Sequence, residues 1–131
     1  MLERMTLRCL IVDDNAAFLS AARELLTRQG MRVVGLASTG SEAVRQADEL
    51  RPDVALVDID LGGESGFDVA RLLAEASRLE PVPVVLISSY SEKDFIDMIA
   101  ASAARGFVSK SDLSQRAIAD ALGDDAMDGA H

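Results

Sequence analysis

The sequence predicts a doubly wound α/β domain, a five-stranded parallel sheet covered by five helices on its two faces. Short β-branched runs, "LRCLIV", "MRVVGLA", "DVALVDI", "PVVLIS" and "GFVSK", alternate five times with helical patterns. The runs are apolar at successive positions, as strands buried on both faces must be, and strands separated by helices pair in parallel through right-handed crossovers. With 131 residues, 49% of them hydrophobic, the chain has the size of one domain with a real core.

Each element has its own justification. After "LRCLIV", Phe18, Ala21, Ala22 and Leu25 form the stripe of a first helix, which Gly30 closes. Beyond "MRVVGLA", Thr39 and Glu42 have capping-box spacing ahead of Ala43, Val44, Ala47 and Leu50. "DVALVDI" is followed by Ser65 as an N-cap and by Val69, Leu72, Leu73 and Ala76. After "PVVLIS", Ser91 stands where an N-cap is expected, and Phe95, Met98 and Ile99 form a shorter stripe, read as core rather than as a docking face. A last, alanine-rich and weakly anchored helix is expected from near Asp112 to Leu122. The domain is thus placed at residues 1–123, with a short, acidic, frayed tail at 124–131.

Composition narrows the function. Thirteen Lys and Arg against 22 Asp and Glu give a formal charge of −9, a field that repels phosphate backbones and anionic lipid, so neither direct nucleic-acid binding nor membrane binding is expected. Cys9 is the only cysteine; its apolar neighbours mark a buried thiol and a reducing compartment. Asp13 and Asp14 cut "LRCLIV" short of a signal-peptide core, and the expected location is cytoplasmic.

Ligands of doubly wound folds bind beyond the carboxyl ends of the strands. At those ends stand Asp13 and Asp14, then Asp58 with Asp60 beyond it, then Ser88 and Ser89, then Lys110; only the second strand, ending near Ser38, offers nothing distinctive. Singly, each has a bland explanation. The acids suit a first helical turn or a loop, Ser88 a turn, and Lys110 a solvated surface. Nothing in loop chemistry, however, requires acid, acid, hydroxyl and cation at the ends of strands one, three, four and five. Carboxylates crowded together repel unless a divalent cation lies between them. Oxygen ligands suit Mg²⁺ or Mn²⁺, and the lack of a His or Cys cluster argues against zinc. A metal and a carboxylate facing an ammonium and a hydroxyl make a cradle for a phosphoryl group, and an attacking Asp gives an aspartyl phosphate.

The stretches "IVDDN", "LVDIDLGGESG", "VVLISS" and "GFVSK", in this order, resemble the receiver (CheY-like) domain of two-component response regulators. The resemblance runs from about Arg8 to about Leu122 and implies a flavodoxin-like sheet of order 2-1-3-4-5. It implies that Asp58 accepts a phosphoryl group from a sensor histidine kinase or a phosphotransfer protein. Mg²⁺ (or Mn²⁺) would be held by Asp14, Asp58 and the main-chain carbonyl of Asp60, with Asp13 acting mainly through water. Lys110 would pair with Asp58 and then with phosphoryl oxygens. Ser88 stands at the switch hydroxyl and Phe107 at the switch aromatic. The fourth helix, fifth strand and fifth helix would present the altered surface to a downstream protein target, and a homodimer through the fourth-helix or first-helix face is common in the family.

Some positions depart from the commoner pattern. Ser88 replaces threonine, which keeps the hydroxyl but loosens its rotamer. Phe107 replaces tyrosine, so no phenol holds it outward. Ser111 replaces proline after Lys110, which leaves the geometry of that peptide open. Asp60 and Tyr90 occupy positions that, in the family it resembles, influence how fast water reaches the acyl phosphate. Two rivals remain: a haloacid dehalogenase-like phosphatase using Asp58 and Asp60, opposed by the motif following the third strand, and a receiver-like module that docks partners without phosphorylation. The chain is read either as a stand-alone receiver or as a fragment without its output domain.

Overall fold

The computed structural model describes residues 6–76 and 81–123. The strands are β1 (Arg8–Val12), β2 (Arg32–Ala37), β3 (Val54–Asp58), β4 (Val84–Ser88) and β5 (Gly106–Ser109), and the helices are α1 (Ala16–Arg28), α2 (Gly40–Leu50), α3 (Gly66–Ala76), α4 (Ile96–Ala101) and α5 (Gln115–Leu122). All strand pairs are parallel, in the order β2-β1-β3-β4-β5. That is the flavodoxin-like order expected from the sequence.

Strand alternation divides the core into two layers. Cys9 and Ile11 of β1, Leu56 of β3 and Ile87 of β4 face α1 and α5, where they meet Leu19, Leu26 and Ile118. Leu10, Val12, Val57 and Leu86 face the other way, toward Ala43 and Ala47 of α2 and Val69 and Leu73 of α3. Leu10, Leu56 and Leu86 are wholly buried, each contributing about 1.5–3 kcal/mol. Burial pushes the pKa of the Cys9 thiol up to about 12, which leaves it neutral and inert.

Several helices differ in detail from the periodicity. In α1 the buried line is Leu19, Ala22 and Leu26, with Phe18 and Leu25 at its flank and Ala21 exposed, because Leu19 and Leu26 rotate the apolar arc by one residue. In α3, Val69, Ala70 and Leu73 are buried, whereas Leu72 and Ala76 are exposed. A single 3-10 turn, Glu92–Asp94, precedes α4, whose first α-helical bond runs from the Ile99 N–H to the Phe95 carbonyl; Phe95 and Ile99, one turn apart, pack inward while Met98 is 54% exposed. Ser91 makes no side-chain capping bond there. A second 3-10 turn, Lys110–Asp112, delays α5 to Gln115, and the Ser114 hydroxyl caps it by accepting the Ala117 N–H at 3.0 Å.

Thr39 caps α2 as expected, accepting the Glu42 N–H at 3.2 Å, but the Glu42 carboxylate reaches back to the N–H of Ser38 rather than that of Thr39. Ser65 accepts the N–H of Phe67 at the start of α3. No peptide among the described residues is cis, so the Lys110–Ser111 bond is trans. No described helix is long and apolar enough to cross a membrane. The expected acidic tail, 124–131, lies outside the described residues.

Candidate functional site

Register brings the acids together. Val12 of β1 lies opposite Val57 of β3, so the residues that follow, Asp13 and Asp58, leave the sheet side by side at its carboxyl edge. Carboxylate oxygens of Asp13, Asp14 and Asp58 lie within 4.8 Å of one another. Asp13 is 0% and Asp58 7% exposed, while Asp14 faces solvent. Local turns aim them. Asp13 Oδ1 accepts the Asn15 N–H at 2.8 Å, and Asp58 Oδ1 accepts the Asp60 N–H at 2.9 Å.

Lys110, at the end of β5, reaches across to this pair. Its Nζ lies 2.6 Å from Asp13 Oδ2 and 2.8 Å from Asp58 Oδ2. Asp13 Oδ2 is fully buried, and the Lys110 ammonium is the group that faces it. Burial raises the Asp58 pKa; the Lys110 hydrogen bond and the Asp60 N–H pull it down and Asp13 pushes it up again, leaving it above the usual carboxylate range. For Lys110, burial alone lowers the pKa, but hydrogen bonds and attraction from Asp13 and Asp58 outweigh that loss and hold the ammonium above its ordinary value. The cluster thus holds three carboxylates, two of them paired with one ammonium. The excess of negative charge and the hard oxygen donors, one of them the exposed Asp14 carboxylate, fit a divalent cation.

The loop after β3 is shaped around the acids. Gly62 has φ +82°, and a Cβ there would lie 2.9 Å from Asp14 Oδ2. Asp60 is exposed, and its carboxylate accepts the Gly62 N–H at 3.0 Å, which ties the turn together. Glu64 Oε1 accepts the Gly40 N–H at 2.8 Å, which clamps the loop to the N-terminus of α2.

Ser88, 2% exposed at the end of β4, has its Oγ accepting the Tyr90 N–H at 2.9 Å. Phe107 is half-buried, packed against the α2–α3 layer and opposite Leu86 of β4. Three residues of this region carry roles that the sequence alone does not signal. Glu64 and Gly66, the latter packed against the main chain of Asp58 and Ile59, lie in a stretch where the sequence singles out only Asp58, Asp60 and Ser65, and Phe18, whose spacing marks it as plain core, has its ring centroid 4.2 Å from Lys110 Nζ.

A family model for the response regulator receiver domain matches residues 9–122. The chain belongs to this family. Among relatives of this receiver, a protein-glutamate methylesterase/protein-glutamine glutaminase of Alkalilimnicola ehrlichii is 35% identical over 124 residues, 92% of this chain and 29% of the relative. Transcriptional regulatory protein PdtaR of Mycobacterium tuberculosis is 28% identical over 103 residues, 79% of this chain and 49% of the relative. Among solved structures, the response regulator domain of Thermotoga maritima CheB superposes with a TM-score of 0.70 at 30% identity, covering 88% of each chain. The receiver therefore spans less than a third of the methylesterase and about half of the transcriptional regulator. It corresponds to a regulatory domain within them.

Proposed function

We propose that this receiver is a phosphorylation-dependent switch that accepts a phosphoryl group on Asp58 from the phosphohistidine of a sensor histidine kinase or a phosphotransfer protein. The observation that carries the reading is the Lys110 ammonium bridging Asp13 and Asp58 at 2.6 and 2.8 Å, beside a cluster of carboxylates that one lysine cannot neutralise. Asp14, Asp58 and the main-chain carbonyl of Asp60 are the groups to hold Mg²⁺ (or Mn²⁺), with Asp13 acting through water. When bound, the ion supplies positive charge that screens the carboxylates and the incoming phosphoryl oxygens.

An Asp58 carboxylate oxygen forms the new P–O bond as the histidine N–P bond breaks, and the electron pair of that bond remains on the imidazole nitrogen. Lys110 exchanges its Asp58 contact for a phosphoryl oxygen while it keeps Asp13. Because Ser88 Oγ already accepts from Tyr90, its own proton is the one to donate to a phosphoryl oxygen. That donation pulls the turn after β4 inward. The added charge of about −1.5 to −2 drives the rearrangement. Phe107, one strand away and with no phenol to hold it out, follows, and the surface formed by α4, β5 and α5 changes for a downstream protein target or for a second copy of the chain. The role belongs to the cytoplasm, where histidine kinases present their phosphohistidines.

A beryllofluoride titration in the presence of Mg²⁺, followed by amide NMR, tests the switch. Shifts are expected at Ser88, Tyr90, Phe107 and through α4. Changes confined to Asp13, Asp14 and Asp58 would sink the switching claim.

Metal dependence separates this reading from a phosphorylation-independent module. At about a hundredfold excess over its Kd, Mg²⁺ should stabilise the receiver by about 2.7 kcal/mol, a rise in Tm of roughly 10 °C. Asp14 is exposed, so Asp14→Ala leaves no cavity and should abolish most of the rise without lowering metal-free stability. A wild-type Tm indifferent to Mg²⁺ favours the module.

A further inference from the structure

Lys110 carries three N–H donors, and two of its neighbours are accounted for by Asp13 and Asp58. A third side of the ammonium is covered by the Phe18 ring, 4.2 Å from Nζ to its centroid. The ring is itself held. Phe18 lies in the first turn of α1, its N–H donates to the Asn15 cap at 3.0 Å, and its body packs against the α1–α5 layer. Asn15 in turn donates its N–H to Asp13. One turn of chain therefore fixes both the carboxylate and the ring that face the ammonium.

We propose that Phe18 is a positioning residue for phosphoryl acceptance, its ring face holding the Lys110 ammonium over the gap between Asp13 and Asp58. The inference rests on Asp58 being the phosphoacceptor. A lysine head on a four-carbon stem is strongly hydrated and free to swing when exposed. Here its side chain is only 15% exposed, and the ring replaces water on one side with a negative quadrupole face. A carboxylate in that place would hold the ammonium by directional bonds and add a fourth negative group. An aliphatic side chain would exclude water but attract nothing. The aromatic face attracts without direction, so the ammonium can turn from the Asp58 carboxylate to a phosphoryl oxygen without losing its third contact. Apolar filling alone does not require an aromatic here, and that difference makes the inference testable.

The test is the rate of phosphoryl incorporation, followed by intact mass with a small-molecule phosphodonor at saturating Mg²⁺. It compares wild type, Phe18→Tyr, Phe18→Leu and a chain with pentafluorophenylalanine placed at position 18 alone. Phe18→Leu and the fluorinated chain are expected to react about 5-fold more slowly, and Phe18→Tyr to retain most of the rate. The fluorinated ring has nearly the same shape with its quadrupole reversed, so a packing role would not slow it. In the unphosphorylated protein, the Lys110 ε-methylene protons should be ring-shifted upfield in the wild type and Phe18→Tyr and lose that shift in Phe18→Leu. Equal rates in all four chains overturn the inference, as does equal slowing in Phe18→Tyr and Phe18→Leu. A wild type that takes up no phosphoryl group instead overturns the phosphoacceptor reading, and this inference with it, while the ring shift still reports whether the contact exists.

Discussion

Lys110→Met is expected to destabilise the metal-free receiver by about 2–4 kcal/mol at neutral pH, because it removes one partner of a buried ion pair and strands the others. Asp13, with no exposure, would keep only the Asn15 N–H, and Asp58 only the Asp60 N–H. Methionine retains most of the length and volume of the stem, so the loss reports charge rather than a cavity. Its sign with pH follows from linkage. Lys110 is raised in the folded state, so its contribution is fully present below the unfolded lysine value of about 10.4 and disappears as pH rises through the folded pKa. Asp58 is also raised, but for an acid this means that ionisation costs stability: the cost is fully present above its folded pKa and is relieved as pH falls through that value toward about 3.9. The gap between wild type and Lys110→Met should therefore narrow in acid, where a protonated Asp58 needs no cation, and again in strong alkali. Mg²⁺ should recover part of it at neutral pH. Urea midpoints measured across pH in EDTA decide the matter; a gap independent of pH would mean that Lys110 contributes only packing.

Gly66→Ala is the second large effect. A Cβ at Gly66 would fall 2.0 Å from the Asp58 carbonyl oxygen and 2.7 Å from Ile59 Cα, all of it main chain that cannot rotate away. The Gly66 N–H also donates to the Ile59 carbonyl at 2.6 Å, so α3 starts in direct contact with the strand that carries the acceptor. Relief requires α3 or β3 to move as a body, and the expected cost is about 3 kcal/mol or more, a fall in Tm of roughly 10 °C. At Gly63, in the same loop, a Cβ would meet nothing within 4 Å, and Gly63→Ala should stay within about 0.5 kcal/mol of wild type. Equal stability of the two variants in urea would contradict the close packing of α3 on β3.

The contrast between these two glycines illustrates what the sequence could and could not convey. Strands were legible because five β-branched runs repeat, and the acids, Ser88 and Lys110 were legible because a parallel sheet delivers every strand's carboxyl end to one edge. A site built from strand ends announces itself in sequence order. Contacts between an element's face and a distant side chain do not. Phe18 has the spacing of a core residue and is partly one; only the reach of Lys110 from β5, 92 positions on by the numbering, reveals its second use. Glu64 carries no signal that it caps α2, since its partner Gly40 precedes it by 24 residues. Met98 leaves its expected core position because the short α4 turns only a narrow line, Phe95 and Ile99, toward the core. The late start of α5 is local as well: Lys110–Asp112 turns once in 3-10 form before Leu113 anchors in the core and Ser114 caps the helix.

The central claim, that Asp58 accepts a phosphoryl group, is tested most directly by intact mass. The receiver is incubated with a small-molecule phosphodonor and Mg²⁺, beside an EDTA control and Asp58→Asn. A gain of one phosphoryl group is expected in the wild type with Mg²⁺ alone. No gain with Mg²⁺ present, or an equal gain in Asp58→Asn, would contradict it, and continuous release of phosphate over many turnovers would turn the assignment toward a phosphatase.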